Sequence, residues 1–169
     1  MAATSLNLDP HSKDLPLGRV TDVPATFFVT KSIHPKKPIL EDTLREVVAS
    51  ALSFALEQNR IHLRAFVVMP DHWHALLQPI EPWTLPKFMH AIMTFIGRRT
   101  GKSLTTHETA WQDGYYDTRI KSWKQLGYVT RYIEENPVTK GLVMSPEEWP
   151  QSSAFLTRLV TSPWPADYS

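Results

Sequence analysis

Cysteine is absent from this chain of 169 residues. Without thiols the protein cannot form disulfide bonds, bind zinc through cysteine or use a thiol nucleophile. No apolar run approaches the roughly 20 residues that a membrane span requires, and the N-terminal sequence lacks a basic segment followed by an apolar one. We therefore expect a cytoplasmic protein with no membrane partner.

An excess of either charge is also lacking, because 18 Lys and Arg residues stand against 17 Asp and Glu, for a net charge of +1. Composition alone does not indicate a nucleic-acid-binding protein, so any basic surface must be local. The length suits one domain with a proper core. We predict a flexible N-terminal arm over residues 1–22, a single domain over 23–160 and a C-terminal tail over 161–169. The arm is polar, contains Pro10, Pro16 and Gly18, and shows no sustained periodicity.

Two of the seven histidines, His72 and His74, lie one residue apart within apolar sequence. On a strand, residues i and i+2 share a face with Cα atoms roughly 6.5–7 Å apart, so two imidazoles can converge on one ion. On a helix they would diverge by about 200°. The spacing favours a strand with Trp73, Ala75 and Leu77 on its other, buried face. The alternative interpretation is a pair of half-buried polar residues, since His-x-His alone is weak evidence for a metal site.

Hydrophobic spacing predicts the remaining elements. In chain order these are a strand over 25–32, a helix over 40–59, strands over 61–68 and 72–78, a helix from its cap Thr84 to Gly101, a strand over 115–120 and a helix from its cap Ser122 to about Glu135. Pro137 sets the last boundary, because proline disfavours helical geometry at the residue before it. The strands over 61–68 and 72–78 are expected to form a hairpin.

This order of elements predicts an α+β fold with a ferredoxin-like split β-α-β antiparallel sheet. Two helices would cover one face of the sheet. The histidine face is left for the C-terminal, tyrosine-bearing helix.

That last helix carries a second candidate group. Its buried stripe is formed by Leu126, Val129 and Ile133. Tyr132 and Asn136 lie on the shoulder of the stripe, about 40° apart and one turn along, so a hydroxyl and an amide oxygen could approach one point. The alternative is a tyrosine at the core edge and an asparagine that ends the helix before proline.

Three segments together resemble a known family. They are Met69-Pro70-Asp71-His72-Trp73-His74-Ala75-Leu76-Leu77, Trp111-Gln112-Asp113-Gly114-Tyr115-Tyr116-Asp117 and Tyr132-Ile133-Glu134-Glu135-Asn136-Pro137 with the residues that follow to Val143. In order and content they resemble the REP-associated tyrosine transposases, relatives of the small insertion-sequence transposases of the HUH class. The resemblance covers about residues 23–153.

The resemblance implies a site-specific, single-stranded DNA endonuclease and strand transferase. It implies that His72 and His74 hold a divalent metal, Mg²⁺ or Mn²⁺, with Asn136 as third ligand and Tyr132 as nucleophile. These residue types suit the chemistry, because a metal offsets phosphodiester charge and a tyrosine oxygen can form a 5′-phosphotyrosine link that retains the bond energy. Imidazole generally suits Zn²⁺ or Mn²⁺ better than Mg²⁺, so the choice of ion rests on the resemblance.

The implied partner is single-stranded or hairpin repeat DNA, bound by a monomer or homodimer in the cytoplasm, associated with the nucleoid. Candidate phosphate contacts are Arg98, Arg99, Lys102, Arg119, Lys121, Lys124 and Arg131, and candidate stacking platforms are Trp111 and Tyr115. Any one of the cations at a helix end is commonly just solvated. Two rival functions remain open: a catalytically silent hairpin-binding protein, and an unrelated metallohydrolase in which the histidines activate water without a covalent step.

Overall fold

The computed structural model describes residues 24–35, 40–100 and 111–156. The predicted arm over 1–22, the tail over 161–169, Gly101 and Lys102 lie outside the described residues.

The described part of the chain contains four strands and three long helices. They are β1 (Phe27–Ser32), α1 (Asp42–Glu57), β2 (Ile61–Val68), β3 (His72–Pro79), α2 (Leu85–Arg99), β4 (Tyr116–Arg119) and α3 (Trp123–Thr139). The strands form one antiparallel sheet in the order β2-β3-β1-β4. This order confirms the predicted α+β, ferredoxin-like split β-α-β arrangement, including the β2–β3 hairpin.

The alternation of side chains along β3 divides the core into two layers. Trp73, Ala75 and Leu77 pack with α1 and α2 on one face of the sheet. Leu76 faces the other way and packs with apolar residues of α3. As predicted, two helices cover one face and the C-terminal helix covers the face that carries the histidines.

The two predicted N-caps are present. The hydroxyl of Ser122 accepts a hydrogen bond from the backbone N–H of Gln125 at 3.1 Å, and that of Thr84 accepts a longer one from Lys87 at 3.4 Å. Each satisfies one of the N–H groups that a helix start leaves without a partner. None of the described helices is long and apolar enough to cross a membrane.

The predicted end of α3 near Glu135 is wrong, because the helix continues through Pro137 to Thr139. Proline removes the hydrogen bond that its own N–H would make and its ring crowds the carbonyl of Ile133, but Asn136 and Pro137 are both buried. The end is then secured by bonds from Lys140 N to Asn136 O and from Leu142 N to Pro137 O. Burial therefore overrides the local bias before proline, and Asn136 is a helical residue one turn after Tyr132.

Residues 151–153 form an addition to the sheet that the sequence did not indicate. The backbone N–H of Val68 donates to Gln151 O at 2.8 Å, and that of Ser153 donates to Phe66 O at 2.9 Å. The segment covers the outer edge of β2, which would otherwise present unpaired backbone groups. Its three residues are too few to give a period-2 pattern.

Candidate active site

The two histidines of β3 lie side by side on the α3 face of the sheet. Their ring centroids are 4.5 Å apart with planes inclined at 66°. The ring of Tyr132 lies 5.6 Å from that of His74, and Phe28 of β1 packs against both His74 and Tyr132 at 5.1 and 6.0 Å. The fold thus brings together three groups that lie in two separate segments of the sequence.

Asn136, the predicted third ligand, is buried. Its side chain is only 5% exposed, and its Oδ1 has no hydrogen-bond partner among the described residues. Ile120, just before α3, bonds to Thr26 at one end of β1, and Tyr132 within α3 lies beside His74. From Ile120 to Tyr132 the chain therefore runs in the direction that leads from His74 to His72 along the sheet. Asn136 follows one turn, roughly 6 Å, further on.

A buried carbonyl oxygen without a partner is costly and is expected to serve a ligand or water. Within the described part of the chain, no three His, Asp, Glu or Cys side chains form a metal cluster. The donors that the structure offers a metal here are the two imidazoles, with the unpartnered amide oxygen of Asn136 as the candidate third. Such a set suits a divalent ion such as Mn²⁺. The residues present fit the metal that the resemblance implies.

Both imidazoles are held in place through Nδ1. In His72 this atom lies 2.6 Å from a carboxylate oxygen of Asp71, and in His74 it lies 2.8 Å from the hydroxyl of Thr30. Thr30 is the direct partner of His74 in the β1–β3 register. Sequence reasoning missed Thr30, because only the register of two strands 44 positions apart reveals the pair.

The pKa of His74 is lowered from 6.5 to about 3, first by burial and then by the neighbouring His72, with a smaller opposing effect of the Val29 carbonyl. The ring is therefore neutral near pH 7. Neutral imidazole is the form that binds a metal, because the lone pair must be free.

This shift predicts acid sensitivity of the metal-free protein. The unfolded state takes up a proton at His74 below pH 6.5 while the folded state resists until about pH 3, so stability falls as the pH drops through that window. Between pH 7 and 5 we expect His74 to contribute a loss of about 2 kcal/mol in the free energy of unfolding. Urea denaturation with chelator present measures it. His74→Gln is the control, and equal pH dependence in both proteins would contradict the assignment.

Three tyrosines differ in their exposure on this side of the molecule. Tyr132 is 39% exposed, Tyr128 is 55% exposed and Tyr116 is 52% exposed. Tyr116 is paired with Thr30 across β1 and β4, so its side chain projects from the same face of the sheet as His74. Sequence reasoning singled out the neighbouring Tyr115 instead.

Trp111, a predicted stacking platform, is buried in this structure. Trp111 is 9% exposed and belongs to the core between the sheet and helices α1 and α2. Tyr115 packs against the same core, and burial together with the Asp117 carboxylate raises its pKa. Trp111 forms an isolated bridge with Ile33, another residue of that core, and both rings lie on the opposite side of the sheet from the histidines.

A buried lysine holds the turn that leads into β4. Lys31 projects from β1 and donates hydrogen bonds to the carbonyl oxygens of Gln112 and, at 2.6 Å, Gly114. Gly114 has φ +68°, a value that favours glycine. Burial lowers the pKa of Lys31, although Asp113 opposes this effect. The contact fixes where β4 begins and therefore where Tyr116 stands.

The candidate cations fall into separate groups. Arg119, Lys121 and Lys124 are exposed around the connection from β4 to α3. Arg131 is also exposed, but it lines a cleft of about 360 Å³ that contains three glutamates as well. Arg98 and Arg99 end α2, in the helix layer opposite the histidine face, and Arg99 lies 5.8 Å from the ring of Phe95. Arg119, Lys121 and Lys124 lie at or just before the start of α3, the helix that carries Tyr132.

The domain is an antiparallel α+β fold. Two histidines lie on one of its central strands and a tyrosine lies on the helix that faces them, and these features can be compared with known protein families. The family of IS200-like transposases matches residues 27–136, more than half of the chain. The protein belongs to this family, which confirms the relationship expected from the motifs.

Two solved structures are similar to this chain, and the first shows the same fold. A REP-associated tyrosine transposase bound to a REP hairpin is 21% identical, with a TM-score of 0.67 over 90% of this chain and 92% of the other. A Deinococcus radiodurans protein assigned as a transposase is 22% identical, with a TM-score of 0.49 over 72% of this chain and 97% of the other. No curated protein matched the chain.

Proposed function

We propose that this protein is a metal-dependent, single-stranded DNA endonuclease and strand transferase that acts at hairpin-forming repeat DNA through a 5′-phosphotyrosine intermediate. The observation that carries the proposal is the packing of Tyr132 against His74, 5.6 Å between ring centroids, beside the second histidine. Membership of the IS200-like transposase family supports it.

His72, His74 and Asn136 would hold the divalent ion, Mg²⁺ or Mn²⁺. When bound, the metal supplies positive charge that offsets the charge developing on the scissile phosphate. The hydroxyl oxygen of Tyr132 forms a bond to phosphorus while the bond from phosphorus to the 3′ oxygen breaks, and the departing oxygen takes up a proton to become a free 3′-OH. The tyrosine proton passes to solvent, which the partly exposed ring reaches.

The phosphotyrosine link keeps the energy of the broken bond. Attack by a free 3′-OH on the same phosphorus reverses the step, joins DNA to DNA and releases Tyr132. No nucleotide cofactor is needed. Retention of the bond energy distinguishes strand transfer from hydrolysis, in which water attacks the phosphorus and the energy of the bond is lost.

The structure also suggests the path of the single strand. Tyr116 on β4, paired with Thr30, and Tyr128 on α3, one turn before Tyr132, are both exposed. Exposed aromatic rings stack unpaired bases without sequence preference, and neighbouring cations bind the backbone. We propose these two tyrosines as stacking platforms in place of Trp111 and Tyr115, with Arg119, Lys121 and Lys124 as phosphate contacts.

Arg98, Arg99 and Arg131 remain candidate contacts for the hairpin stem. The REP-associated relative was solved with a REP hairpin bound, and a hairpin repeat is the substrate we propose here. We further propose that the protein acts as a monomer or homodimer in the cytoplasm, associated with the nucleoid, where such repeats would be encountered.

Salt dependence tests the path. Replacing both Lys121 and Lys124 with Gln should weaken hairpin binding and lower the slope of log affinity against log salt by about 1.4 to 1.8, because each lost phosphate contact removes about 0.7 to 0.9. Titrations by fluorescence anisotropy at several salt concentrations measure the slope. The comparison is the Arg98→Gln, Arg99→Gln pair, with the same charge change on the opposite layer, titrated with the hairpin and with a single-stranded oligonucleotide that lacks the stem. The Lys121, Lys124 variant should lower the slope with both oligonucleotides, and the arginine pair only with the hairpin. A slope change with the single strand in the arginine pair alone would contradict the proposed path.

The function is tested by incubating labelled hairpin oligonucleotides with protein and Mn²⁺. A shortened strand together with a covalent protein–DNA adduct is the expected result. Binding without cleavage would favour a silent hairpin-binding protein, and cleavage without an adduct would favour a metallohydrolase.

A further inference from the structure

The two candidate metal-binding imidazoles are anchored by the same ring atom but by different partners. Asp71 contacts Nδ1 of His72 at 2.6 Å and Thr30 contacts Nδ1 of His74 at 2.8 Å. From these contacts we infer that Asp71 and Thr30 are positioning residues that keep the proton of each imidazole on Nδ1 and leave Nε2 free to bind one divalent ion. The inference rests on the proposed function, since it concerns the metal of that site.

The chemistry of His72 follows from its partner. A neutral imidazole has one N–H and one lone pair, and an ionised carboxylate can only accept a hydrogen bond. The atom that faces Asp71 must therefore be the N–H, and the lone pair is on Nε2. A carboxylate behind a histidine in this way also raises the basicity of the metal-binding nitrogen.

For His74, the contact with Thr30 bears on which of the two ring nitrogens carries the proton. A hydroxyl can donate or accept, so the contact alone permits two tautomers. If Thr30 donated to Nδ1, the proton of the ring would lie on Nε2 and that atom could not bind a metal. Binding through Nε2 thus requires Thr30 to accept from Nδ1, as Asp71 does from His72.

The surroundings keep both groups in this relation. Thr30 lies directly opposite His74 in the β1–β3 pairing, and its β-branched side chain has few rotamers. The ring of His74 is packed between Phe28, Tyr132 and His72, with centroids 5.1, 5.6 and 4.5 Å away. A packed ring cannot turn to exchange its two nitrogens freely, so the groups that it faces, the Thr30 hydroxyl and the Val29 carbonyl, set the tautomer.

The test combines a tautomer measurement with a metal titration, neither of which involves DNA. NMR of metal-free protein with ¹⁵N-labelled histidine at pH 7 should show the Nδ1–H tautomer for both residues, with the signals of His74 assigned by their absence in His74→Gln. Thr30→Val keeps the shape of the side chain and removes the hydroxyl. We expect it to move His74 away from the Nδ1–H form and to weaken Mn²⁺ binding about 10- to 100-fold, the usual effect of losing such a partner.

Two further variants separate positioning from packing. Thr30→Ser restores a hydroxyl and should recover both the tautomer and most of the Mn²⁺ affinity. Thr118→Val is the matched control, because Thr118 is a half-buried threonine on the same sheet face, opposite Phe28. It should change neither readout.

The proposal is overturned if wild-type His74 is in the Nε2–H form, or if Thr30→Val retains both the tautomer and the affinity. It is also overturned if the wild-type protein shows the expected tautomers but binds no Mn²⁺. If the titrations come out as expected while hairpin DNA is never cut, the positioning role stands and the proposed nuclease function fails.

Discussion

Tyr132→Phe should eliminate the covalent protein–DNA adduct and leave the fold and hairpin affinity intact. The substitution removes one oxygen from a ring that keeps its packing against Phe28 and His74. Without that oxygen no bond to phosphorus can form, so we expect strand cleavage to fall by on the order of 10³-fold or more, as when other nucleophiles are removed. Denaturing gels of labelled oligonucleotide measure the adduct, and anisotropy measures binding.

Tyr128→Phe is the matched control for this experiment. Tyr128 is on the same helix one turn earlier, but it is more exposed than Tyr132, 55% against 39%. It should retain adduct formation, because stacking on a base needs the ring and not the hydroxyl. Mass spectrometry of a trapped adduct locates the link, and a nucleotide on Tyr128, Tyr116 or Tyr115 would reject Tyr132 as nucleophile.

The face of the sheet on which the histidines lie could be predicted from sequence because it depends on a local rule. Side chains alternate along a strand, so apolar residues at Trp73, Ala75 and Leu77 determine where His72 and His74 point. The helix covering that face followed from the order of elements. These features depend on periodicity within a segment, which the sequence displays directly.

The features that the sequence did not reveal depend on contacts between segments. Thr30 acquires its contact with His74 only through the register of β1 on β3. Trp111 is a candidate stacking platform in the sequence, yet its bridge to Ile33 places it in the core. The helix passes Pro137 because tertiary burial outweighs a local preference that is only statistical.

The relation of Asn136 to the histidines shows how the two kinds of information combine. Because Asn136 follows Tyr132 by four residues, the sequence predicts that both side chains lie on the same side of the helix. Only the structure shows that its amide oxygen is buried and has no partner among the described residues. Leaving such an oxygen without a partner costs free energy, which is the structural reason to propose Asn136 as the third ligand.

Removing either histidine should have an effect as large as removing the tyrosine, but through a different step. In His72→Ala and His74→Ala we expect metal-dependent cleavage to fall by on the order of 10³-fold, because the charge that stabilises the transition state is lost. Hairpin affinity should stay within a few-fold of wild type, since backbone contacts elsewhere supply most of it. Chelator should reproduce both results in the wild-type protein.

The two positions call for different controls, because His74 is buried against Phe28 and Tyr132 whereas His72 is less buried. Truncation of His74 leaves a cavity that costs roughly 1–3 kcal/mol of stability and could displace Tyr132. His74→Gln fills most of that space without an imidazole, so loss of cleavage in this variant, with wild-type denaturation at pH 7, would separate the ligand from the packing role. Full metal-dependent cleavage by His72→Ala or His74→Gln would show that the metal is held elsewhere.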